Sequence, residues 1–174
     1  MQHTEHSHPK KMRILMVCMG NICRSPTAEA VLRQRIDQKG LRDFIEVDSA
    51  GTQAYHVGHV PDERSIAHGA RRGYDLMPLR ARQVSDLDFE RFDLILAMDE
   101  DNLADLKERC PETLQSRICK LMDFAPEDVS PRVVPDPYYG GEAGFERVLD
   151  LIESACDGLL EALQGARPEP AEPA

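Results

Sequence analysis

Cys18 and Arg24 bracket the five residues Met19-Gly20-Asn21-Ile22-Cys23, and Ser25-Pro26 follow at once. A cysteine six places before an arginine is a weak signal by itself in a chain with five cysteines. Its setting supplies the chemistry. An apolar run precedes the pair and a segment of helical period follows it, so the loop leads from a strand's carboxyl end into a helix N-terminus. Successive backbone N–H groups in such a loop converge as an anion-binding nest, to which the helix adds partial positive charge. Gly20 and Asn21 are the residue types that tolerate the left-handed backbone such a curl needs. Pro26 suits the first helical position, and Ser25 is a natural N-cap.

Donors that hold an oxyanion will also hold a thiolate. Cys18 is therefore expected to ionise near or below neutral pH, in the ~3.5–7.5 range of cysteines at helix N-termini or beside cations. Arg24 offers a planar fork for two oxygens of a phosphoryl group, which a lysine cannot match. Ser25 is placed to donate its hydroxyl to the Cys18 sulfur and make it a better leaving group. The phosphate-binding set is then Met19, Gly20, Asn21, Ile22, Cys23, Arg24 and Ser25. The bland alternative makes Cys18 a buried filler at the strand end and Arg24 a surface charge. Cys23 stays open between a small packed hydrophobe and a redox role, in which it forms a protective disulfide with Cys18.

The hydrophobic pattern supplies elements to carry this loop. Residues 14–17, 44–47, 94–97 and 118–122 read as strands. Ala28, Val31, Leu32 and Ile36 line one face of a helix that Gly40 can close; further helices are expected from about Pro61 to Arg72, before Gly73, and from Asp99 to Arg109. Phe145, Val148, Leu149, Ile152, Cys156, Leu159, Leu160 and Leu163 repeat at helical spacing and mark the last and clearest helix. Strands alternating with helices predict an α/β fold: a small doubly wound, flavodoxin-like sheet of about four parallel strands with helices on both faces. Ligands of such sheets sit beyond the strands' carboxyl ends, where the Cys18 loop lies.

The chain has 174 residues, 41% of them hydrophobic, enough for one domain with one core. That domain is expected at 13–165, between a flexible tail at 1–12 and a disordered Pro-, Glu- and Ala-rich tail at 166–174. His3, His6 and His8 read as part of a solvated tail rather than a metal site. A net charge of −10 disfavours binding to nucleic acid or to an anionic membrane surface. No apolar run approaches the roughly 20 residues needed to span a bilayer, and no secretory signal is seen, so the expected address is the cytoplasm. An odd number of irregularly spaced cysteines points to reduced thiols.

The stretch Val17-Cys-Met-Gly-Asn-Ile-Cys-Arg-Ser-Pro-Thr-Ala-Glu29 resembles the signature loop of the low-molecular-weight protein tyrosine phosphatases. The likeness continues through Asp48-Ser-Ala-Gly-Thr52, Ala81-Arg-Gln83, Met98-Asp99 with Asn102-Leu103, and Asp136-Pro-Tyr-Tyr-Gly140. It implies hydrolysis of phosphotyrosine through a phosphocysteine on Cys18, with Arg24 as phosphate clamp and no cofactor or metal. An acid is needed as well, because a departing phenolate has a conjugate acid of pKa ~10. The Val-Pro-Asp-Pro segment alone would read as a turn; the resemblance places the general acid and base there, at Asp136, stiffened by Pro135 and Pro137 and raised in pKa by phosphoryl charge and partial burial.

Tyr138 and Tyr139 are aromatic candidates for the walls of a phosphotyrosine slot, and the resemblance adds Tyr55. Ile22 also lines it; related protein arginine phosphatases resemble this loop with a smaller polar residue there. Leu79 stands where many family members carry a histidine that supports the loop, and His68, read as a surface residue, is a weak substitute. A thiol-dependent arsenate reductase is the nearest rival, although Cys110, Cys119 and Cys156 sit in predicted helix or strand rather than on a mobile segment. A non-catalytic phosphotyrosine-binding module is the other, and would not need Cys18 and Asp136 together. The implied partner is a phosphotyrosine protein, with a tyrosine kinase of polysaccharide export a candidate by analogy.

Overall fold

The computed structural model describes residues 10–137 and 140–165. The tail carrying His3, His6 and His8, the tail 166–174, and Tyr138 and Tyr139 lie outside the described residues. Strands β1 (Met12–Cys18), β2 (Ile45–Gly51), β3 (Leu94–Ala97) and β4 (Ile118–Lys120) form one parallel sheet in the order β2-β1-β3-β4. The α-helices are α1 (Arg24–Gln38), α2 (Glu63–Arg71), α3 (Asp88–Arg91), α4 (Glu100–Arg109) and α5 (Gly141–Gly165).

A central strand covered on both faces must be apolar on both, and β1 is. Ile14 and Met16 point into a core shared with α1 and α5, while Leu15 and Val17 point into a second core with Phe89, Phe92 and Leu106. From β1 the chain passes first to β2 on one side and then to β3 on the other. The loops leaving β1 and β3 therefore part at the sheet's carboxyl end and leave a crevice beside Cys18.

Several boundaries differ from expectation, β1 running over Met12–Cys18 and α2 over Glu63–Arg71, and three of them bear on packing. β2 runs on through Asp48 and Ser49 to Gly51, although those polar residues break its apolar run, because each pairs in register with β1 as far as Cys18↔Gly51. β4 stops at Lys120, where the Asp123 carboxylate accepts the Lys120 N–H at 3.0 Å and curls Leu121–Phe124 into a 3₁₀ turn. α1 begins at Arg24 behind Cys23, one residue before the expected cap. No helix among the described residues is long and apolar enough to cross a membrane.

Helix α5 buries Phe145, Val148, Leu149, Ile152, Ala155, Cys156, Leu159 and Leu160, and each large side chain contributes about 1.5–3 kcal/mol. Its close approach to the 3₁₀ turn depends on Gly158, where an added Cβ would meet the Phe124 carbonyl oxygen at 1.9 Å. Gly158→Ala is expected to cost about 1–3 kcal/mol or more, because backbone rather than a movable side chain stands in the way. Urea unfolding would show this as a lowered midpoint at unchanged slope; an unchanged midpoint would contradict the packing described.

Candidate active site

The loop at the end of β1 is shaped by where its carbonyls go. Those of Cys18 and Met19 accept from Thr52 N–H and Gln53 N–H, each at 2.9 Å, and that of Ile22 accepts from Asp62 N–H at 2.8 Å. With the carbonyls turned outward, the N–H edge is left for the hollow, the arrangement of an anion nest. Asn21 makes the reversal with φ of 57°. Gly20 does not adopt positive φ; its missing side chain instead makes room for the His56 ring, whose Cδ2 would lie 3.0 Å from an added Cβ.

Gly51 is required by the same crowding. A Cβ there would stand 2.7 Å from the Met19 oxygen and 3.1 Å from the Asn21 nitrogen, so the loop can lie across the end of β2 only over a glycine. Reading by residue type missed this position. Its signal was a glycine placed at the end of a strand, next to the loop in the sheet.

Cys18 is 3% exposed. Its sulfur lies 3.3 Å from the Asn21 N–H and 2.9 Å from the Ser25 hydroxyl. Ser25 is therefore not the N-cap: Cys23 holds that position without a side-chain bond, and the Ser25 hydroxyl is committed to the sulfur and to Asn21. Asn21 Nδ2 donates to Ser25 Oγ at 2.8 Å and to Ser49 Oγ at 3.0 Å, while its Oδ1 accepts the backbone N–H of Arg82 at 3.0 Å. That amide supplies a loop support that neither Leu79 nor His68 provides. His68 is buried rather than on the surface; it stacks on Phe145 and meets Glu146 at 2.5 Å, between α2 and α5.

Arg24, 4% exposed, spends Nη1 on Asp99 Oδ2 at 2.6 Å and on the Val134 carbonyl at 3.0 Å. Burial opposes its charge, but Cys18, Asp99 and Asp136 outweigh this and raise its pKa. The Val134 N–H in turn donates to the Met98 carbonyl at 2.7 Å. The segment bearing Asp136 is thus tied both to the arginine and to the end of β3. Asp136 is exposed, not partly buried as expected.

A cavity of about 260 Å³ is lined by Cys18, Met19, Gly20, Ile22, Cys23, Arg24, His56 and Asp136. Ser25 and Asn21 stand behind its floor. Tyr55 does not line it: the turn at residues 54–57 leaves Tyr55 79% exposed and brings His56 to the wall instead. Residue spacing alone could not choose between neighbours on a turn. The rim segment is pinned through backbone groups, with Gly58 N–H on the Ala81 carbonyl and Ala81 N–H on the His59 carbonyl.

All five cysteines are free. Burial first, with the charges of Asp62, Cys18 and Asp136, pushes the Cys23 thiol up to about 12 against a hydrogen bond with Ser65. Burial likewise pushes Cys119 up to about 11 and raises Cys110 and Cys156, which lie away from the cavity.

Residues 13–169 match the family model described as low molecular weight phosphotyrosine protein phosphatase. The chain is 42% identical over 151 residues to the low-molecular-weight protein-tyrosine-phosphatase YfkJ of Bacillus subtilis, covering 87% of this chain and 95% of that one. A crystal structure of a protein tyrosine phosphatase from Entamoeba histolytica, with Hepes in the active site, superposes with a TM-score of 0.86 at 46% identity, covering 89% of this chain and 98% of that one. The likeness extends to an arginine phosphatase of Drosophila, with a TM-score of 0.80 at 31% identity, covering 90% of this chain and all of that one (100%). The scaffold alone therefore does not choose the leaving group.

Crowding at Gly51 gives a direct check of the nest. Gly51→Ala is expected to weaken inhibition by inorganic phosphate about tenfold, or ~1.4 kcal/mol, by pushing the loop off its curl. An unchanged inhibition constant would show that the loop tolerates the added methyl.

Proposed function

The chain belongs to the low-molecular-weight phosphotyrosine protein phosphatases, and on that premise we propose that it hydrolyses phosphotyrosine in proteins through a phosphocysteine on Cys18. One observation carries the reading. A buried sulfur within hydrogen-bond reach of the Asn21 N–H and the Ser25 hydroxyl shares a cavity with a buried guanidinium and a carboxyl. Nucleophile, phosphate clamp and proton donor face one volume.

In the first step Cys18 Sγ attacks phosphorus in line, the bond from phosphorus to the tyrosyl oxygen breaks, and Asp136 gives that oxygen its proton. In the second, water attacks the phosphocysteine, Asp136 takes a proton from it, and the phosphorus–sulfur bond breaks to return the thiolate and release phosphate. Arg24 and the loop amides hold the equatorial oxygens through both steps, so catalysis is mostly positioning and electrostatics. The Ser25 hydroxyl, 2.9 Å from the sulfur, stabilises the thiolate as it leaves. The cytoplasm, where thiols stay reduced, suits this chemistry.

Ile22 and His56 form walls for the phenyl ring, and Ile22 favours a flat apolar ring over a guanidinium. A phosphotyrosine protein is the substrate, with a tyrosine kinase as a candidate partner. Cys110, Cys119 and Cys156 lie away from the cavity, so none of the three is placed to take a disulfide on from Cys18 as arsenate reduction requires.

Cys18→Ser is expected to abolish turnover of phosphotyrosine peptides while retaining phosphate binding; substantial hydrolysis by that variant would remove Cys18 as nucleophile. Asp136→Ala should slow phenyl phosphate far more than esters with acidic leaving groups, and equal slowing would remove it from the acid role. His56→Ala is expected to raise KM for phosphotyrosine peptides by about threefold, the scale of one lost aromatic contact, with Tyr55→Ala near wild type. The reverse ranking in steady-state kinetics would restore Tyr55 as the wall.

A further inference from the structure

Helix α1 carries a carboxylate, Glu29, that the two displacements do not use, 3% exposed and behind the loop rather than in the cavity. Glu29 Oε1 accepts from the Ser49 hydroxyl at 2.6 Å. One turn along α1, Arg33 Nη2 spans Glu29 Oε2 at 2.5 Å and the Val47 carbonyl at 3.1 Å. We propose that Arg33 is a positioning residue for the nucleophile: by keeping Glu29 an acceptor, it sets the direction of every hydrogen bond between Glu29 and the Cys18 sulfur. The proposal rests on the reading of Cys18 as an ionised nucleophile.

The direction follows from counting hydrogens. Ser49 has one hydroxyl hydrogen, and with it on Glu29 the oxygen can only accept from Asn21 Nδ2, at 3.0 Å. The second Nδ2 hydrogen goes to Ser25 Oγ at 2.8 Å, so Ser25 keeps its own hydrogen, for which Cys18 Sγ at 2.9 Å is a nearer acceptor than the Ala50 carbonyl at 3.5 Å. Asn21 cannot flip, because its Oδ1 is held by the Arg82 N–H at 3.0 Å. If Glu29 became a neutral acid with its hydrogen toward Ser49, the Ser49 hydrogen would need an acceptor. Asn21 could supply one only by giving up Arg82. The Ser25 hydroxyl that reaches the sulfur is therefore coupled to a charge four residues further along α1, while the Asn21 N–H reaches it independently.

Glu29 is exposed to opposing influences. Burial, the largest influence, leaves its pKa raised against the Ser49 hydrogen bond and the Arg33 charge, which lower it; Asp48 on β2 also raises it, and the Asp48 carboxylate is itself held by Arg82. A group whose ionised form supports the sulfur gives that support above its pKa and loses it as pH falls through it. Without Arg33 the loss begins at higher pH. The Arg33 side chain is 47% exposed, so it can be exchanged without opening the core.

The test is the pH dependence of Cys18 alkylation by iodoacetamide on the full chain, read at that residue by mass spectrometry. In Arg33→Met, and in Arg33→Gln, the midpoint is expected to move up by about one unit, the low end of what one adjacent charge does; Arg33→Lys should recover most of it. In a Glu29→Gln background, whose amide cannot ionise and has a single acceptor oxygen for Ser49 and Arg33 to share, adding Arg33→Met should not raise the midpoint further. Superimposable profiles for wild type and both neutral variants would overturn the proposal, as would an equal shift in the Glu29→Gln background. Turnover of an aryl phosphate by the wild-type chain, measured alongside, tests the phosphatase reading separately, since alkylation needs no turnover.

Discussion

The arrangement depends on one buried side chain, Asn21, held in a left-handed turn. Its backbone N–H meets the sulfur, its amide hydrogens fix Ser25 and Ser49, and its carbonyl is pinned by Arg82. A non-glycine residue at φ of 57° carries a cost of order 1 kcal/mol. Here it is offset by hydrogen bonds to every polar group the side chain has. Because the same residue both turns the loop and orients the donors, the curl of the backbone and the environment of the thiol cannot be changed independently.

The second constraint is topological. Placing β1 in the centre of the sheet puts Cys18 beside the ends of both β2 and β3. From the β2 side come Gly51 and Ser49, which let the loop lie close and hold it. From the β3 side come Met98 and Asp99, which anchor Val134 and Arg24. The acid segment, some 110 residues beyond the loop, is thereby fastened to the guanidinium it works beside.

Much of this could be read from residue order, and the reasons for the rest are specific. The apolar runs located β1 and β3, and helical spacing located α5, because burial imposes those periods. The polar half of β2 escaped notice since backbone pairing, not side-chain burial, keeps Asp48 and Ser49 extended. The loop residues Cys18 and Arg24 were evident from type and spacing. Ser25 meets the sulfur as expected, but it lies inside α1 instead of capping it, because the backbone is already helical at Arg24. His56 and Gly51 were missed: one needed the direction of a turn, the other the height of a neighbouring backbone. Neither is encoded in periodicity.

The rim of the cavity is held quite differently from its floor. In and behind the floor, Asn21, Arg24 and Ser25 are locked by side-chain bonds, so an exchange at any of them disturbs the loop. The segment that presents His56 is fastened through main-chain amides and carbonyls, which every amino acid other than proline carries alike. Side chains along that rim, Gly58 with its φ of 87° apart, can therefore be exchanged while the floor beneath them stays in place.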